Sequence, residues 1–483
     1  MLANPSWRLC ASLAAIVGAT AACAITNVSS TTCGLDCQKV AALGSSWEAD
    51  QHASADFSFY AVPSNFSASL PAGTLLKVEP ATNLSNFSVP GSLSMSRIIY
   101  TTTDLNGTIL PASAYILWPY APLASATHTK QPFPMVAWAH GTSGLLKGCA
   151  PSNYRNLQYH FMAPFLLALQ GMVVVAPDYA GLGIDYTPSG KPIGHPWLAG
   201  PAQANDLANA ILASRRAFPS QLAADGSFVA LGHSQGGAAV WSFAERQASR
   251  PIPGYQGAAA IAPPTRIFDQ VQQGMLNSSE VWASVILTGQ PKLAAAVTAL
   301  FPAYNYSGMT PLAYDRWNNV LKPVQGCLPT DSLVFSDVSI DQLAEPDWLE
   351  DPRVQTYANM TQTGRKKFKG PLLVIAGEAD IVVPPFTIES AVDDTCDMLK
   401  KQKWHESLEM VSYSAMNHFS VIQASEMQWL QWVKDRLSGV RVSGVGCTKK
   451  SVHGFRTDFS PMGAAPNFLE GWASPQEAWK YSL

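Results

Sequence analysis

Beyond Pro134 the chain carries a series of short apolar runs: PMVAWAH (Pro134 to His140), MVVVAPDY (Met172 to Tyr179), SFVALGHS (Ser227 to Ser234), GAAAIAP (Gly257 to Pro263), PLLVIAGE (Pro371 to Glu378) and LEMVSYS (Leu408 to Ser414). Strands buried on both faces read this way, because a sheet covered by helices on each side leaves no face for polar residues. Between them GPAQANDLANAILASRRAF (Gly200 to Phe218) and SVIQASEMQWLQWVKDRL (Ser420 to Leu437) place apolar residues at helical spacing. The alternation predicts an α/β fold, a mainly parallel central sheet flanked by helices. Four earlier segments, FSFYAV, TLLKVEP, RIIYTTT and AYILWPY, are expected to add antiparallel strands along one edge.

One interval breaks the rhythm. Between Ile261 and Pro371 lie about a hundred residues, far more than an ordinary connection between strands. The pieces SEVWASVILTG (Ser279 to Gly289) and KLAAAVTALF (Lys292 to Phe301) are compatible with helix, and Pro-rich turns follow. Residues 265–365 are therefore expected to form a helical cap inserted into a domain spanning 25–483.

The first residues read as an export signal. Met1 to Ala24 holds one basic residue, Arg8, no acid, and the apolar stretch LCASLAAIVGATAACA, ending in the small residues Ala22-Cys23-Ala24. Its length and its polar interruptions are short of a membrane span, and no later segment reaches about 18 apolar residues, so a secreted protein without a transmembrane segment is expected. Eight Asn-x-Ser/Thr sequons, at Asn27, Asn65, Asn83, Asn86, Asn106, Asn277, Asn305 and Asn359, suit a glycoprotein. Removal of the leader takes Cys10 and Cys23 and leaves six cysteines, an even number that fits three disulfides with fifteen possible pairings. Cys33 and Cys37 are close enough for a local loop. With 13% charged residues, a formal charge of −3 and only the short GRKKFKG as a basic cluster, the chain has no field for a phosphate backbone, and nucleic acid is not an expected partner. No cysteine spacing with a matching histidine cluster points to a metal, and no cofactor is expected.

The chemistry is read from GHSQG within SFVALGHSQGGAAVW. A strand runs straight into Gly-x-Ser-x-Gly and a helix can begin at once, the arrangement that exposes a serine hydroxyl on a sharp strand-to-helix turn. Ser234 is the candidate nucleophile. A serine hydroxyl needs a base and an orienting acid, which in such folds follow later in the chain, acid first. Asp380, past the end of LLVIAG, is favoured over Glu378, which is closer to the strand end and reads as a solvated turn residue. His418 comes directly after LEMVSYS, taken as the final strand, and is the expected base. His405 precedes that strand and is expected at the opposite edge, while His233 is expected to pack rather than catalyse. The developing oxyanion needs backbone donors: the Gln235 N–H at the helix start and, from HGTSG after the VAWAH strand, the Thr142 N–H beside Gly141. Asp178 and Tyr179 are expected to structure their loop.

Taken together, AWAHGTSG, CAPS, APDYAGLG, GHSQGG and GEADIVVPP, with Ser234, Asp380 and His418 in that order, resemble the fungal secretory lipase family, the lipase A-like branch of the α/β-hydrolases. The resemblance runs from about Asp56 to Cys447. It implies a carboxylester hydrolase acting on acyl esters, including triacylglycerols, with a helical cap between the family's sixth and seventh strands. It also implies disulfides Cys149–Cys327 and Cys396–Cys447, leaving Cys33 with Cys37. The expectation is a secreted serine esterase or lipase, a monomer meeting its ester or lipid substrate, transiently at a lipid–water interface. The same triad would serve an acyltransferase, a serine peptidase or an esterase for small or secondary-metabolite esters; a binding protein on this scaffold would be expected to lack a triad member.

Overall fold

In the computed structural model, residues 30–123, 133–268, 271, 289–442 and 444–455 are described. The expected leader, two sequons (Asn27 and Asn277) and most of SEVWASVILTG lie outside them. The apolar runs assemble into one ten-stranded sheet. In chain order its strands are β1 (Leu75–Glu79), β2 (Ser94–Thr103), β3 (Ile109–Trp118), β4 (Met135–Ala139), β5 (Val173–Pro177), β6 (Phe228–His233), β7 (Tyr255–Ile261), β8 (Leu372–Gly377), β9 (Ser407–Tyr413) and β10 (Gly446–Val452). Their spatial order is β1-β2-β3-β5-β4-β6-β7-β8-β9-β10. The first three strands join antiparallel, as expected for an edge, and all pairings from β5 through β10 are parallel. Every residue of β4, β5, β6 and β8 is buried, which is why these runs carry no polar alternation.

Helices cover both faces. Outside the insertion they are α1 (Leu35–Gln51), α2 (Pro164–Leu169), α3 (Gly200–Ala217) and α4 (Gln235–Ser249). Within the insertion between β7 and β8 come α5 (Gln290–Leu300), α6 (Pro311–Arg316), α7 (Leu328–Val334) and α8 (Pro352–Thr361). After it follow α9 (Pro385–Gln402), α10 (Ser420–Ala424) and α11 (Glu426–Leu437). Val173 and Val175 of β5 face the buried cluster that includes Leu207 of α3, Val240 of α4 and Ile388 of α9; Val174, pointing the other way, belongs to the cluster that includes Phe165 of α2 and Trp429 of α11. The helix expected over 420–437 is divided at Ser425, whose hydroxyl donates to the carbonyls of Val421 (2.6 Å) and Ile422 (3.3 Å).

Two sequence expectations are corrected. FSFYAV is not a strand: it holds a single 3-10 turn, Ser58–Tyr60. The Asp56 carboxylate accepts from the Ser58 N–H (2.8 Å) and hydroxyl (2.7 Å), a local bond that competes with a strand ladder. LEMVSYS, now β9, is not the final strand. GCTKKSV forms β10 beside it, largely exposed, and so has no apolar pattern by which to recognise it.

The insertion has its own apolar core. Leu293, Val297, Trp317, Val320, Val334 and Tyr357 are buried there, together with Ala41 of α1 and Leu198 from the loop before α3. The N-terminal helix therefore packs with the insertion, a pairing that its sequence did not announce. The Glu48 carboxylate of α1 accepts from the N–H groups of Cys327 (2.8 Å) and Thr330 (3.0 Å) at the start of α7. Among the described residues three disulfides are formed, Cys33–Cys37, Cys149–Cys327 and Cys396–Cys447, the pairing the resemblance implied. The second ties the loop after β4 to the insertion.

Candidate active site

The loops that follow β4, β5, β6, β8 and β9 all leave the same end of the sheet, at the carboxyl ends of parallel strands. Next to β4 the chain order reverses, with β5 on one side and β6 on the other. Open α/β sheets place their sites in this position, because the diverging loops leave a crevice there.

Ser234 sits between β6 and α4 with φ 55° and ψ −124°. A residue with a β-carbon is strained in that conformation, and the surroundings over-determine it. The Ser234 N–H donates to the Ile261 carbonyl at the end of β7 (2.9 Å). The following turn runs so close to β4 that a β-carbon on Gly236 would lie 1.9 Å from the Ala139 carbonyl oxygen, and this explains the glycine. Ser234 itself is partly exposed.

The expected acid and base are brought together. The His418 Nδ1–H donates to Asp380 Oδ2 at 2.7 Å, and both residues are buried. Asp380 Oδ1 accepts from the N–H groups of Val382 and Val383, each at 2.8 Å, so the carboxylate is held on both oxygens. With its proton on Nδ1, the ring leaves a lone pair on Nε2, which is buried and has no hydrogen-bond partner among the described residues. Glu378 is exposed, as is His405 before β9. Of the two carboxylates, Asp380, which lies further past the strand end, is the one that meets His418.

The oxyanion candidates lie on either side of the serine. The Gln235 N–H is the first of α4 and points from a helix N-terminus, where donors are unsatisfied and negative charge is favoured. On the other side, the Gly141–Thr142 peptide is set by the His140 Nδ1–H, which donates to the Gly141 carbonyl at 2.7 Å. Because the peptide is planar and trans, fixing that carbonyl fixes the Thr142 N–H on its opposite edge. The Thr142 carbonyl accepts from Gln158 Nε2 at 3.0 Å. Burial holds His140 far below the usual histidine range, to about 3, so it is neutral; its single proton serves the shorter contact, to Gly141, and not the 3.4 Å contact of Nε2 with the Asp178 carbonyl.

The side chains of Thr142 and Gln235 belong to one directed chain of hydrogen bonds. The Trp197 indole N–H donates to the Thr142 hydroxyl (2.8 Å), and that hydroxyl donates to Gln235 Oε1 (3.2 Å). Gln235 Nε2 donates to His195 Nε2 (2.9 Å), and the His195 Nδ1–H donates to the Ala180 carbonyl (3.0 Å). His195, lowered to about 4 by burial, is neutral and can accept at Nε2. Neither His195 nor Trp197 was singled out from the sequence. They lie in a Pro- and Gly-containing loop with no periodicity, and only the fold brings them to Gln235.

Asp178 and Tyr179 structure their loop, as expected. The buried Asp178 carboxylate accepts from the hydroxyls of Ser113 (2.7 Å) and Ser152 (2.6 Å) and from the Ser152 N–H (2.7 Å). Tyr179 stacks on His140 and donates to the His140 carbonyl (2.9 Å). His233 does more than pack, because it bonds to the backbone of His418 (2.8 Å). Among the described residues no group of three or more His, Cys, Asp or Glu could hold a metal ion.

Comparison with known proteins places this geometry in a lineage. No curated protein matches the sequence. Solved structures with the same fold include lipase A of Candida antarctica in its closed state, 16% identical, with 86% of this chain and 92% of that chain covered at a TM-score of 0.62. A second structure of that lipase is 15% identical and covers 87% of this chain and 94% of that one at 0.64. A ligand-bound form of the rice cell wall degrading esterase LipA from Xanthomonas oryzae is 19% identical, with 75% of this chain and 100% of that chain covered at 0.57. At such identities the likeness concerns the fold. The family model of the alpha/beta hydrolases matches residues 136–421, from inside β4 to α10, and so takes in Ser234, Asp380 and His418. Since that match spans more than half of the chain, the protein belongs to the alpha/beta hydrolase family.

Proposed function

We propose that the protein is a secreted serine carboxylester hydrolase, an esterase or lipase, with Ser234 as nucleophile, His418 as base and Asp380 as the acid that orients it. The observation that carries this reading is the His418 imidazole: Nδ1–H is anchored on a doubly held carboxylate, and Nε2 is left as a buried lone pair with no partner among the described residues. That is the state a general base needs before it takes a proton. His418 Nε2 accepts the Ser234 hydroxyl proton as Oγ attacks the ester carbonyl. The Gln235 and Thr142 N–H groups receive the oxyanion, and Asp380 stabilises the imidazolium. The imidazolium then returns its proton to the leaving alcohol, and water activated by His418 releases the acid. These steps use side chains and backbone alone.

The ester class is favoured by the fold shared with a lipase and with a cell wall degrading esterase. Secretion is favoured by three disulfides and by the sequons Asn65, Asn83, Asn86, Asn106, Asn305 and Asn359, all exposed. In this reading residues 1–24 are the leader, 25–483 the catalytic domain and 265–365 a cap that selects what reaches Ser234. Ser234→Ala is expected to abolish hydrolysis of p-nitrophenyl esters while thermal unfolding stays near that of the parent. Turnover retained by the folded variant would overturn the assignment. A chain-length profile, with and without an oil–water interface, then separates lipase from esterase.

A further inference from the structure

Leu157, Gln158, Tyr159 and His160 form a strained step in the chain. Three of the four have positive φ: Leu157 at 52°, Gln158 at 65° and His160 at 35°. None is glycine, so each conformation is disfavoured for its side chain and persists only because the surroundings impose it. Local bonds hold the step: the Gln158 N–H donates to Asn156 Oδ1 (2.9 Å) and the His160 N–H to the Asn156 carbonyl (3.1 Å).

Strain of this kind is informative when its product can be named. Here it aims two successive side chains at the two loops that flank Ser234. Gln158 reaches the Thr142 carbonyl. Tyr159 turns inward, buried edge-on against Trp138, and its hydroxyl meets His233 Nδ1 at 2.8 Å. His233 Nε2 in turn lies 2.8 Å from the His418 carbonyl oxygen. The direction of the relay is determined by chemistry. A carbonyl only accepts, so His233 carries its proton on Nε2; the buried ring is neutral, so Nδ1 accepts and the Tyr159 hydroxyl donates. The His233 and His418 rings also lie against each other, 4.6 Å between centroids. Room for the phenol is made by Gly141, where a β-carbon would stand 2.0 Å from the Tyr159 oxygen.

We infer that Tyr159 and His233 are positioning residues: the relay from the Tyr159 hydroxyl through His233 to the His418 carbonyl fixes the base loop against the nucleophile turn. His233 immediately precedes Ser234, so the link joins base and nucleophile directly, independently of Asp380. Loss of the Tyr159 hydroxyl removes the donor that keeps Nδ1 unprotonated. The tautomer with the proton on Nδ1 then becomes available to His233, and in it the bond to the His418 carbonyl is absent.

This inference rests on the reading of Ser234 and His418 as nucleophile and base, and the experiment separates the two. For the full-length enzyme, kcat and KM on a p-nitrophenyl ester and the rate of phosphonylation by a fluorophosphonate are measured for Ser234→Ala, Tyr159→Phe, His233→Gln and His233→Asn, each with its unfolding midpoint. Tyr159→Phe is expected to lower kcat and the phosphonylation rate by about tenfold with KM unchanged, since the base is misplaced while substrate binding is not. His233→Gln, whose amide can still donate at the Nε2 position, is expected to retain more kcat than His233→Asn, whose amide reaches only the Nδ1 position. Equal losses in the two His233 variants, or a Tyr159→Phe enzyme with the parent's kcat, would overturn the relay. If Ser234→Ala stays active, the underlying reading fails instead.

Discussion

The sheet and the insertion bury polar groups in different ways. In the sheet half, a set of buried polar side chains gathers at the carboxyl ends of the strands and bears on the site: Asp380 on His418, His140 on the Thr142 peptide, His233 on the His418 backbone. In the insertion they staple helices. Lys292 of α5 and Asp331 of α7 form an ion pair with both side chains buried, Arg316 at the end of α6 pairs with Asp337, and Glu48 reaches from α1 to the start of α7. Strands buried on both faces supply the sheet with enough buried surface to hold its shape. Among its described residues the insertion carries four short α-helices, between six and eleven residues long, which are marginal alone. Charged and covalent links fasten them, including Cys149–Cys327. The same kind of group thus gathers around the site in one half and fastens helices in the other.

That contrast predicts opposite phenotypes. In the sheet half, Asp380→Asn is expected to lower kcat by roughly 10⁴-fold by allowing the wrong imidazole tautomer, with an unfolding midpoint close to the parent's; a loss of stability in place of activity would erase the distinction. In the insertion, Lys292→Met leaves Asp331 buried without its cation, an expected loss of about 3–5 kcal/mol in denaturant unfolding. The double variant Lys292→Met/Asp331→Leu is expected to recover most of it, which a site essential to catalysis would not allow.

Glu48 sharpens the comparison through pH. Burial raises its carboxyl to about 7 from 4.5, the N–H groups of Cys327 and Thr330 opposing the shift and the nearby Asp331 adding to it. The folded protein therefore keeps a proton that the unfolded chain releases. Its contribution to stability is complete below pH 4.5 and is lost as pH rises through about 7, on the order of 3 kcal/mol. Glu48→Gln cannot titrate. The difference in unfolding free energy between parent and variant should move in the variant's favour by about that amount between pH 4.5 and 8, and a difference independent of pH would remove Glu48 from this role.

The legible parts of the molecule were those where burial and chain order dictate residue type. A strand enclosed on both faces must be apolar throughout, so β4, β5, β6 and β8 were visible, and a nucleophile turn needs Gly-x-Ser-x-Gly in a strand-to-helix setting. Asp380 and His418 could be proposed as partners because chain order narrows the choice to the loops after two strands, and the fold brings the two side chains together. What remained hidden was joined only by the fold. Trp197 and His195 meet Thr142 and Gln235 from an aperiodic loop, and Tyr159 reaches His233 through backbone that ordinary propensities disfavour. FSFYAV misled because its apolar spacing suits a strand while Asp56 bonds the backbone into a turn. β10 was hidden for the opposite reason: GCTKKSV is exposed and needs no apolar pattern.

That last strand has a consequence for how the chain behaves in company. β9 hydrogen-bonds to β8 on one side and to β10 on the other, and β10 is fastened to α9 through Cys396–Cys447. Were β10 to peel away, the largely buried β9 would offer a bare row of amides and carbonyls, a template for a strand from another molecule. β10 itself presents Lys449 and Lys450 at the sheet's outer margin, charges that discourage such docking. One disulfide thereby links redox state to colloidal behaviour: oxidised, it clamps a charged border onto the sheet; reduced, among the described residues that border is held by strand pairing and ion pairs.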